Sequence, residues 1–325
     1  MTSREGVLDL LLDRTIVPGY SRIGYRLRRS RWTPIPDRAL EGRRILVTGG
    51  TSGLGLATAE GCARLGATVH LLGRDRQRGE SAARGIRRRV PNADIVVEEC
   101  DLGSLAAVAA FAADFAARVP ALDGLVHNAG VMTEQRTESR EGHELTLSVH
   151  VLGPHLLTSL LRPAFAEGAR VVFVASGGMY AQPLAVDDPE YREGEFSGVT
   201  AYARAKRMQV VLAQRWAQEL GDGGQAGTGV HVMHPGWVDT PGVRDSLPRF
   251  RMLTRPILRT PDEGADTMVW LLAEPDLDPP TGGFWMDRTV RPTHYLGRHQ
   301  ESAADRERFW EFCGTAVAPY GDVPI

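Results

Sequence analysis

The sequence predicts an α/β fold with a doubly wound parallel sheet, and three observations support this prediction. From Arg44 onward, short β-branched runs alternate with longer stretches of helical length, which is the pattern of a parallel sheet covered by helices on both faces. A chain of 325 residues that is 42% hydrophobic can bury a large core. Chemically distinctive side chains follow several of the predicted strands, where such a sheet binds its ligand.

Predicted strands and helices alternate through a single domain, residues 44–287. The predicted strands are Ile45–Thr48, Thr68–Leu72, Asp94–Glu98, Gly124–His127, Arg170–Ser176, Val230–His234 and Gly283–Met286. Apolar residues recur every three or four positions in the predicted helices, which are Gly53–Leu65, Arg76–Arg89, Ser104–Arg118, Gly142–Ala166, Tyr202–Leu220 and Pro261–Leu272. An arginine-rich N-terminal arm (residues 1–43) precedes this domain, and a C-terminal tail (residues 288–325) follows it.

The composition argues against several classes of protein. A formal net charge of −2 and a pI near 6.5 give no electrostatic attraction to nucleic acid. Three widely spaced cysteines predict neither a disulfide framework nor a zinc site, and the spacing of the histidines predicts no metal site. No apolar segment approaches the ~20 residues that span a bilayer. We therefore expect a cytoplasmic protein that binds no nucleic acid and no metal.

A glycine-rich turn joins the first predicted strand to the first predicted helix. Glycines at 49, 53 and 55 permit a tight turn and close approach of the backbone to a pyrophosphate, while the helix N-terminus supplies N–H donors. An isolated glycine cluster could also be a loop that needs positive φ, but the position between strand and helix of a βαβ unit favours a dinucleotide site. The candidate cofactor-binding residues of this turn are Gly49, Thr51, Ser52, Gly53, Leu54 and Gly55.

The end of the second predicted strand bears on the choice of cofactor. A free ribose 2′-hydroxyl usually meets an acid at this point, whereas a 2′-phosphate meets an arginine. Gly73 stands where the acid is expected, and Arg74 can form a charged pair with a phosphate. NADP(H) is therefore favoured. NAD(H) stays open, because Asp75 could take the ribose hydroxyls and Arg74 could be a solvated residue at the helix start.

Two later strand ends are also expected on the cofactor side of the sheet. Asp101 and Leu102 follow the third predicted strand and are candidates for contact with the adenine. Asn128, Ala129 and Gly130 close the fourth predicted strand beside the cofactor.

A serine, a tyrosine and a lysine form the candidate catalytic group. Ser176 ends the fifth predicted strand, and Tyr202 and Lys206 lie four residues apart on one face of the following helix. A phenol with a pKa of about 10 is a poor base at neutral pH unless a nearby cation stabilises the phenolate. Lys206 can supply that cation, Ser176 can hold a substrate oxygen, and Tyr202 can give or take the proton.

Lys206 is the only lysine in the chain, since every other residue among the 38 lysines and arginines is an arginine. A tyrosine four residues before a lysine is common, and taken alone it would be read as a structural pair. However, the wide, delocalised fork of an arginine is a poor substitute for a compact ammonium that must reach a ribose and tune a phenol. A single ammonium at this position therefore favours the catalytic interpretation.

These motifs together resemble the short-chain dehydrogenase/reductase family over residues 44–286. They are Thr48-Gly49-x-x-x-Gly53-x-Gly55, His127-Asn128-Ala129-Gly130, Ser176, Tyr202-x-x-x-Lys206 and Pro235-Gly236-x-x-x-Thr240. The resemblance implies a Rossmann-type fold and an NAD(P)-dependent oxidoreductase that moves a hydride between the nicotinamide and a carbonyl or alcohol. It also implies that Asn128 lies near the cofactor, that Thr240 holds the carboxamide, and that Pro235, Gly236 and Val238 line the cofactor site.

The resemblance further implies a substrate lid at Pro241–Thr260, and it shows one departure from the family pattern. The family usually has an asparagine in the helix before the fifth strand, where this chain has His150. In the family, the backbone carbonyl at this position holds a water in the proton relay from the lysine. His150 is therefore included in the catalytic group, where it could preserve the relay with an altered pH response or weaken catalysis. It could equally be a packed histidine whose ring is hydrogen-bonded.

Two other functions stay open beside the enzyme, namely a catalytically silent dinucleotide sensor and a membrane-recruited interaction protein. The presence of Ser176, Tyr202 and Lys206 favours the enzyme. Sugar-nucleotide epimerases share the tyrosine and lysine, but their glycine turn usually has a different spacing. A small-molecule carbonyl or alcohol of lipophilic character is the predicted substrate, because the lid supplies apolar residues at Leu247, Phe250, Met252, Leu253, Ile257 and Leu258.

The arm combines an apolar segment with a basic cluster. The apolar residues Val7, Leu8, Leu10, Leu11, Leu12, Ile16 and Val17 are followed by arginines at 22, 26, 28, 29 and 31. Such a segment suits an anionic lipid surface, which predicts peripheral membrane contact through residues 1–40. The alternative is that the arm packs its leucines on the domain, or on a second subunit of a homo-oligomer, and leaves its arginines solvated. Pro18-Gly19 is expected to break any continuous helix.

Overall fold

A computed structural model of the chain describes residues 9, 12–13, 15–221, 227–246, 248–295 and 300–323. Within these residues the strands are β1 (Arg44–Thr48), β2 (Thr68–Gly73), β3 (Ile95–Glu99), β4 (Leu122–His127), β5 (Phe165–Val174), β6 (Gly229–Met233), β7 (Phe284–Met286) and β8 (Thr289–Val290). They form one sheet in the order β3-β2-β1-β4-β5-β6-β7-β8. Neighbouring strands run parallel except β8, which is antiparallel to β7. The predicted α/β fold with a doubly wound parallel sheet is therefore confirmed.

Helices cover both faces of the sheet, and both chain ends contribute to them. The arm forms α1 (Ile16–Tyr20) and α2 (Arg22–Arg29), and the tail forms α12 (Ala303–Val317). Between them lie α3 (Gly53–Arg64), α4 (Arg76–Arg89), α5 (Leu105–Arg118), α6 (Leu145–Leu147), α7 (Gly153–Leu161), α8 (Gly198–Gly221), α9 (Pro241–Ser246), α10 (Pro248–Thr254) and α11 (Pro261–Ala273). A π-helical turn, Ser148–Leu152, joins α6 to α7.

Each face of the sheet carries its own apolar core, because successive strand residues point to opposite faces. Leu46 of β1 lies in the core that includes Trp216 and Trp310, whereas its neighbour Val47 lies in the core that includes Trp285. Burial on both faces explains why the strands read as nearly continuous apolar runs. Since Trp310 belongs to α12, the tail helps to form the first of these cores.

Side-chain caps set where several helices begin, directly after the carboxyl edge of the sheet. Asp75 caps α4 by accepting a hydrogen bond from the backbone N–H of Arg78, and Ser104 caps α5. At the start of α11, Thr260 and Glu263 form a capping box. Each such cap stabilises its helix by on the order of 1 kcal/mol, so the loops that precede these helices have fixed ends.

The predicted helix at 142–166 was wrong at both ends. Its first residues form a turn in which Gly142 has a φ of +84°, and Glu144 caps α6. At the other end Pro163 lies in a 3-10 turn, and β5 already begins at Phe165. Periodicity did not separate the two elements, because a fully buried strand and a buried helix segment both read as apolar runs.

Smaller differences from the predicted bounds lie next to the candidate site. β5 ends at Val174, so Ser176 lies beyond the strand and caps the 3-10 turn Gly177–Ala181. α8 begins at Gly198, earlier than predicted. A Cβ on Gly198 would collide with the carbonyl oxygen of Thr133, so the absence of a side chain lets the start of α8 approach that loop.

The arm packs on the domain through its buried side. Pro18 and Gly19 lie inside α1, so the predicted break there was wrong, and the break comes at Ser21, where the backbone is extended. Tyr20 and Tyr25 are buried. Of the apolar residues assigned to the arm, Leu12 is buried, and those that fall outside the described residues are Val7, Leu8, Leu10 and Leu11. No helix in the described part of the chain is long and apolar enough to cross a membrane.

Candidate active site

The glycine turn lies at the carboxyl edge of β1, against the end of β4. Gly49 and Gly53 have φ values of +63° and +54°, a conformation that favours glycine. A Cβ on Gly49 would lie 2.8 Å from the Cα of Ala129. A Cβ on Gly55 would collide with the Gly49 carbonyl and the Asn128 amide. These glycines therefore let the turn, the start of α3 and the end of β4 pack closely together.

Thr48 and Asn128 fasten β1 to β4 behind this turn. The Thr48 hydroxyl oxygen accepts hydrogen bonds from the backbone N–H groups of Asn128 and Ala129 at 3.0 and 3.1 Å. The Asn128 amide donates to the carbonyl oxygens of Thr48 at 3.0 Å and Gly49 at 3.3 Å. Strand order reverses between β1 and β4, so these residues lie at the topological switch point where folds of this kind bind ligands.

The start of α3 fits a phosphate group. Thr51 and Ser52 precede the helix, and among the described residues the Ser52 side chain makes no capping hydrogen bond. A helix N-terminus leaves its first N–H groups without intrahelical partners and carries positive dipole, both of which favour an anion. Leu54 packs against Gly264 of α11, since a Cβ on Gly264 would lie 2.6 Å from the Leu54 Cδ2. This close contact holds the start of α3 against α11. The residues of the turn therefore fit the pyrophosphate of a dinucleotide.

The loop after β6 brings the second set of candidate cofactor residues to the same place. Pro235 and Val238 are buried, and Gly236 has a φ of +78°. Thr240 reaches the glycine turn, since a Cβ on Gly53 would lie 3.7 Å from the Thr240 side chain. The structure thus brings Thr240 beside the start of α3, although the two are far apart in the sequence.

The end of β2 carries the residues that bear on the choice of cofactor. Arg74 is exposed and forms no ion pair with any described residue. Asp75 is engaged as the cap of α4, at 3.0 Å from the backbone nitrogen of Arg78. A Cβ on Gly73 would lie 2.6 Å from the Thr51 Cγ2, so an acidic side chain at Gly73 would require Thr51 to move.

The end of β3 contributes one exposed carboxylate. Asp101 is exposed and accepts a hydrogen bond from the backbone N–H of Gly103 at 2.9 Å. Leu102 is buried in the first core. Its side chain therefore packs in the protein interior, whereas Asp101 stays a candidate for contact with the adenine.

Ser176 and Tyr202 come together from two different elements. Ser176 caps the turn after β5, and Tyr202 lies in the second turn of α8. Burial raises the pKa of the Tyr202 phenol, and a hydrogen bond with Ser176 acts in the opposite direction. The phenol therefore holds its proton at neutral pH, next to the serine hydroxyl.

Lys206 is buried close to the Tyr202 ring. Its Nζ lies 5.4 Å from the ring centroid and donates hydrogen bonds to the carbonyl oxygen of Val174 at 2.7 Å and to Gln209 Oε1 at 2.8 Å. The side chain is 3% exposed, and burial lowers the pKa of the ammonium to about 7. An ammonium has three N–H donors, and the described residues use two of them, so the third is available to a ligand.

His150 lies in the π-helical turn and touches the same tyrosine. Its ring is edge-on to the Tyr202 ring, with centroids 5.4 Å apart, and its Nε2 lies 2.9 Å from both the backbone N and the backbone O of Val131. Burial, followed by the charge of Lys206, lowers the pKa of His150 well below its usual range. His150 is thus a neutral, packed ring, and a relay through its carbonyl stays a prediction. Gly130 makes room for it, since a Cβ there would lie 2.6 Å from the ring.

Gln209 belongs to the site, although sequence reasoning did not single it out for a role. It is fully buried and holds Lys206 through Oε1, while its Nε2 has no partner among the described residues. The signal that could have found it is its spacing, because a residue three positions after Lys206 lies on the same helix face.

The apolar residues of the lid divide into two groups. Met252 and Leu253 are 72% and 79% exposed. Leu258 is buried, and Ile257 is partly exposed. Leu247 and the side chain of Phe250 lie outside the described structure. The lid therefore presents apolar surface to solvent through α10 and covers the protein interior through its end.

Comparison with known proteins agrees with the resemblance drawn from the motifs. A profile of the family described as short chain dehydrogenase matches residues 43–249. The chain is 39% identical over 299 residues to dehydrogenase/reductase SDR family member 12 of Bos taurus, covering 90% of this chain and 92% of the relative. It is 35% identical over 279 residues to polyprenol dehydrogenase of Mus musculus, covering 83% and 82%.

A solved structure shows the same architecture. A putative short chain dehydrogenase from Escherichia coli CFT073, complexed with NADPH, has a TM-score of 0.61 at 25% identity and covers 78% of this chain and 100% of that chain. The profile match spans more than half of the chain, and both relatives span most of it. The chain therefore belongs to the short-chain dehydrogenase/reductase family, whose members are NAD(P)-dependent oxidoreductases that act on alcohols and carbonyls.

Proposed function

We infer that Tyr202 is the general acid and base of this oxidoreductase. The observation that carries the proposal is the grouping of three side chains from two elements: Ser176 lies near enough to the Tyr202 phenol to lower its pKa, and the Lys206 ammonium lies 5.4 Å from the centroid of the phenol ring. A positioned proton donor of this kind typically accelerates a reaction by about 10²–10⁴-fold.

The protein groups act on the substrate oxygen. In the reducing direction Ser176 donates a hydrogen bond to the carbonyl oxygen, and Tyr202 gives that oxygen its proton. Burial raises the pKa of the phenol, so the proton is present at neutral pH. Protonated Lys206 then stabilises the phenolate that remains. In the oxidising direction the phenolate takes the proton of the alcohol.

The nicotinamide, when bound, supplies or accepts the hydride. We assign its dinucleotide to the glycine turn, to Asn128 and to the loop Pro235–Thr240. The free N–H of Lys206 is assigned to the nicotinamide ribose. These assignments follow from the close packing of the glycine turn and from the third donor of the ammonium.

We propose that the enzyme prefers NADP(H) to NAD(H). Arg74 supports this preference because it is exposed and free of described ion-pair partners, as a residue that receives a 2′-phosphate should be. Asp75 is engaged by the backbone of α4 and is less available to ribose hydroxyls. The similar protein from Escherichia coli was solved with NADPH.

We propose a lipophilic alcohol or carbonyl as the substrate. Met252 and Leu253 place exposed apolar surface on the lid, and one relative carries the name polyprenol dehydrogenase. The test is a screen of purified protein against lipophilic aldehydes, ketones and alcohols with both cofactors, with the Tyr202→Phe variant as the blank. Turnover of small sugars or acids alone would contradict the proposal. NADPH binding without any turnover would favour the dinucleotide sensor.

The arm supports a second proposal, contact with an anionic membrane surface. Its outer face exposes Ile16, Val17, Ile23 and Leu27, at 62%, 53%, 50% and 44%. Arginines at 26, 29 and 31 are also exposed. Within the cluster, Arg22 and Arg26 both pair with Glu263 at the start of α11, and Arg28 is buried. The same face could instead meet a second subunit.

We take residues 44–287 as the catalytic unit on which the arm and the tail pack.

A further inference from the structure

Arg259, near the end of the lid, joins the two ends of that segment through its backbone. Its N–H donates to the carbonyl oxygen of Trp237 at 2.7 Å, and its carbonyl oxygen accepts from the N–H of Asp239 at 3.0 Å. Trp237 and Asp239 lie within four residues of Pro241, where the lid and its first helix, α9, begin. Whatever fixes Arg259 therefore fixes both ends of the lid at once.

The side chain of Arg259 binds the arm. Its guanidinium donates to the carbonyl oxygens of Gly19 at 3.2 Å, Tyr20 at 3.1 Å and Ser21 at 3.3 Å. The Tyr20 carbonyl also accepts from the N–H of Trp237 at 2.8 Å. The break between α1 and α2 thus presents three successive carbonyl groups to the segment that carries the lid.

Asp287 completes this attachment from the end of β7. It is 1% exposed and receives two hydrogen bonds from Arg259 and one from Arg28 of α2, the latter at 2.7 Å. Arg28 also donates to the Gly19 carbonyl at 2.9 Å and to Asp9 at 2.8 Å. Removal of one partner from a buried ion pair of this kind is strongly destabilising, because it leaves an uncompensated charge.

The tail closes the same network. Arg291 donates to both carboxylate oxygens of Asp9 at 2.7 Å, and Tyr295 donates to Asp13 at 2.7 Å. Near the catalytic serine, Tyr20 packs edge-on against His234, with ring centroids 4.7 Å apart. A Cβ on Gly177, the residue after Ser176, would lie 3.2 Å from the Tyr20 ring. The arm is therefore adjacent to the catalytic turn as well as to the lid.

We propose that Arg28, Asp287 and Arg259 form a lock through which the N-terminal arm sets the position of the substrate lid. The arm is then a positioning element of the active site, and these three are positioning residues that act through the segment Trp237–Asp239. The proposal deepens the proposed function and rests on it for the role of the lid. The glycine turn itself is held by a separate contact with Asn128, whereas the loop Pro235–Thr240, through which the lock acts, also belongs to the proposed cofactor site.

Hydrogen–deuterium exchange of the full chain tests the lock without requiring any turnover. The Arg28→Met variant loses the charge-assisted hydrogen bonds that the Arg28 guanidinium donates to Asp287, to Asp9 and to the Gly19 carbonyl. Exchange in peptides that cover residues 234–240 and 256–262 should then become at least about tenfold faster, as expected for the loss of a charge-assisted hydrogen bond. Peptides from β5 should be unchanged. Arg28→Lys should restore part of the protection, because one donor can still reach Asp287.

Arg31→Met is the matched control, because Arg31 lies just after α2 and is exposed. Its exchange should equal that of the wild type. If Arg28→Met does not fold, Asp9→Asn weakens the same network more mildly and should give the same pattern at smaller amplitude. On any substrate found, Arg28→Met should raise the KM of the substrate several-fold while kcat stays near wild type. Faster exchange in the arm with unchanged exchange at both lid ends would overturn the lock. Absence of any turnover by the wild type, by contrast, would count against the proposed function alone.

Discussion

Replacement of Lys206 by methionine should abolish turnover at little cost in stability. The folded protein keeps the ammonium buried, and this burial lowers its pKa from 10.5 to about 7. At 1.36 kcal/mol per pKa unit, burial of the protonated ammonium costs about 5 kcal/mol below pH 7. Lys206→Met removes this cost, but it leaves the Val174 carbonyl and Gln209 Oε1 without their donor, at about 1–3 kcal/mol each. The two effects nearly offset each other, so the variant should be about as stable as the wild type at pH 7.

The pH dependence separates this account from a purely structural role for the lysine. Between about pH 7 and 10.5 the unfolded chain binds a proton at Lys206 that the folded chain does not, so the wild type gains stability as pH rises through this window. The variant lacks this gain. Its stability relative to the wild type should therefore fall by about 2.5 kcal/mol between pH 7 and pH 9.

Urea unfolding at pH 7 and pH 9 measures both quantities. Arg215→Met, on the same helix and partly exposed, is the control and should show no such pH-dependent difference. A large loss of stability in Lys206→Met at pH 7, or a difference from the wild type that does not change with pH, would refute the reasoning. Turnover, measured in parallel, should fall below detection in Lys206→Met and should not be restored in Lys206→Arg.

Three further results are expected. Arg74→Ala should weaken NADPH binding by about 1.5–3 kcal/mol, the scale of a lost charge-assisted hydrogen bond, and should leave NADH binding unchanged. The control variant Arg78→Ala should bind NADPH as the wild type does. Equal binding of both cofactors by the wild type would contradict the preference for NADP(H). Burial lowers the pKa of five histidines, namely His127, His150, His155, His231 and His234. As pH drops from about 6.5 toward 5, the unfolded chain takes up protons that these histidines exclude in the folded chain, so the free energy of unfolding should fall by up to about 1.4 kcal/mol per pH unit for each of them. Unfolding free energies that do not change over this range would count against this prediction. Full-length protein should sediment with anionic but not neutral liposomes and be released by high salt, and protein that stays in the supernatant at low salt would make the arm a packing element only.

The parts of the site that could be predicted from the sequence belong to local motifs. Within each motif, such as the glycine turn, a strand end or the Tyr202–Lys206 pair, the residues lie within a few positions of one another in the sequence. A parallel sheet then brings the carboxyl ends of its strands, and the motifs that follow them, to one edge. Family resemblance added Thr240, which local pattern alone did not indicate. The fold class was predictable for the same reason, since alternation of strands and helices is a property of neighbouring segments.

The remaining features depend on contacts between distant segments. The partners of Arg259 lie in the arm and at the end of β7, and no spacing in the sequence pairs them. The depressed pKa of Lys206 follows from burial, which a motif does not report. Arg28 was counted in the basic cluster of the arm, expected either at an anionic lipid surface or in solvent, but the structure buries it against Asp287. The end of the helix before β5 was misplaced because buried helix and buried strand share one apolar pattern.

The most direct test of the central claim is the turnover of Tyr202→Phe, which removes one hydroxyl from the group formed with Ser176 and Lys206. Fold and NADPH affinity should match the wild type, and turnover should fall by about 10²-fold or more, the scale of a lost general acid and base. Tyr191→Phe is the matched control, because its hydroxyl donates only to the Glu195 carbonyl among the described residues, and it should keep full activity. Near-normal turnover of Tyr202→Phe on any substrate of the wild type would contradict the assignment of Tyr202 as the proton donor.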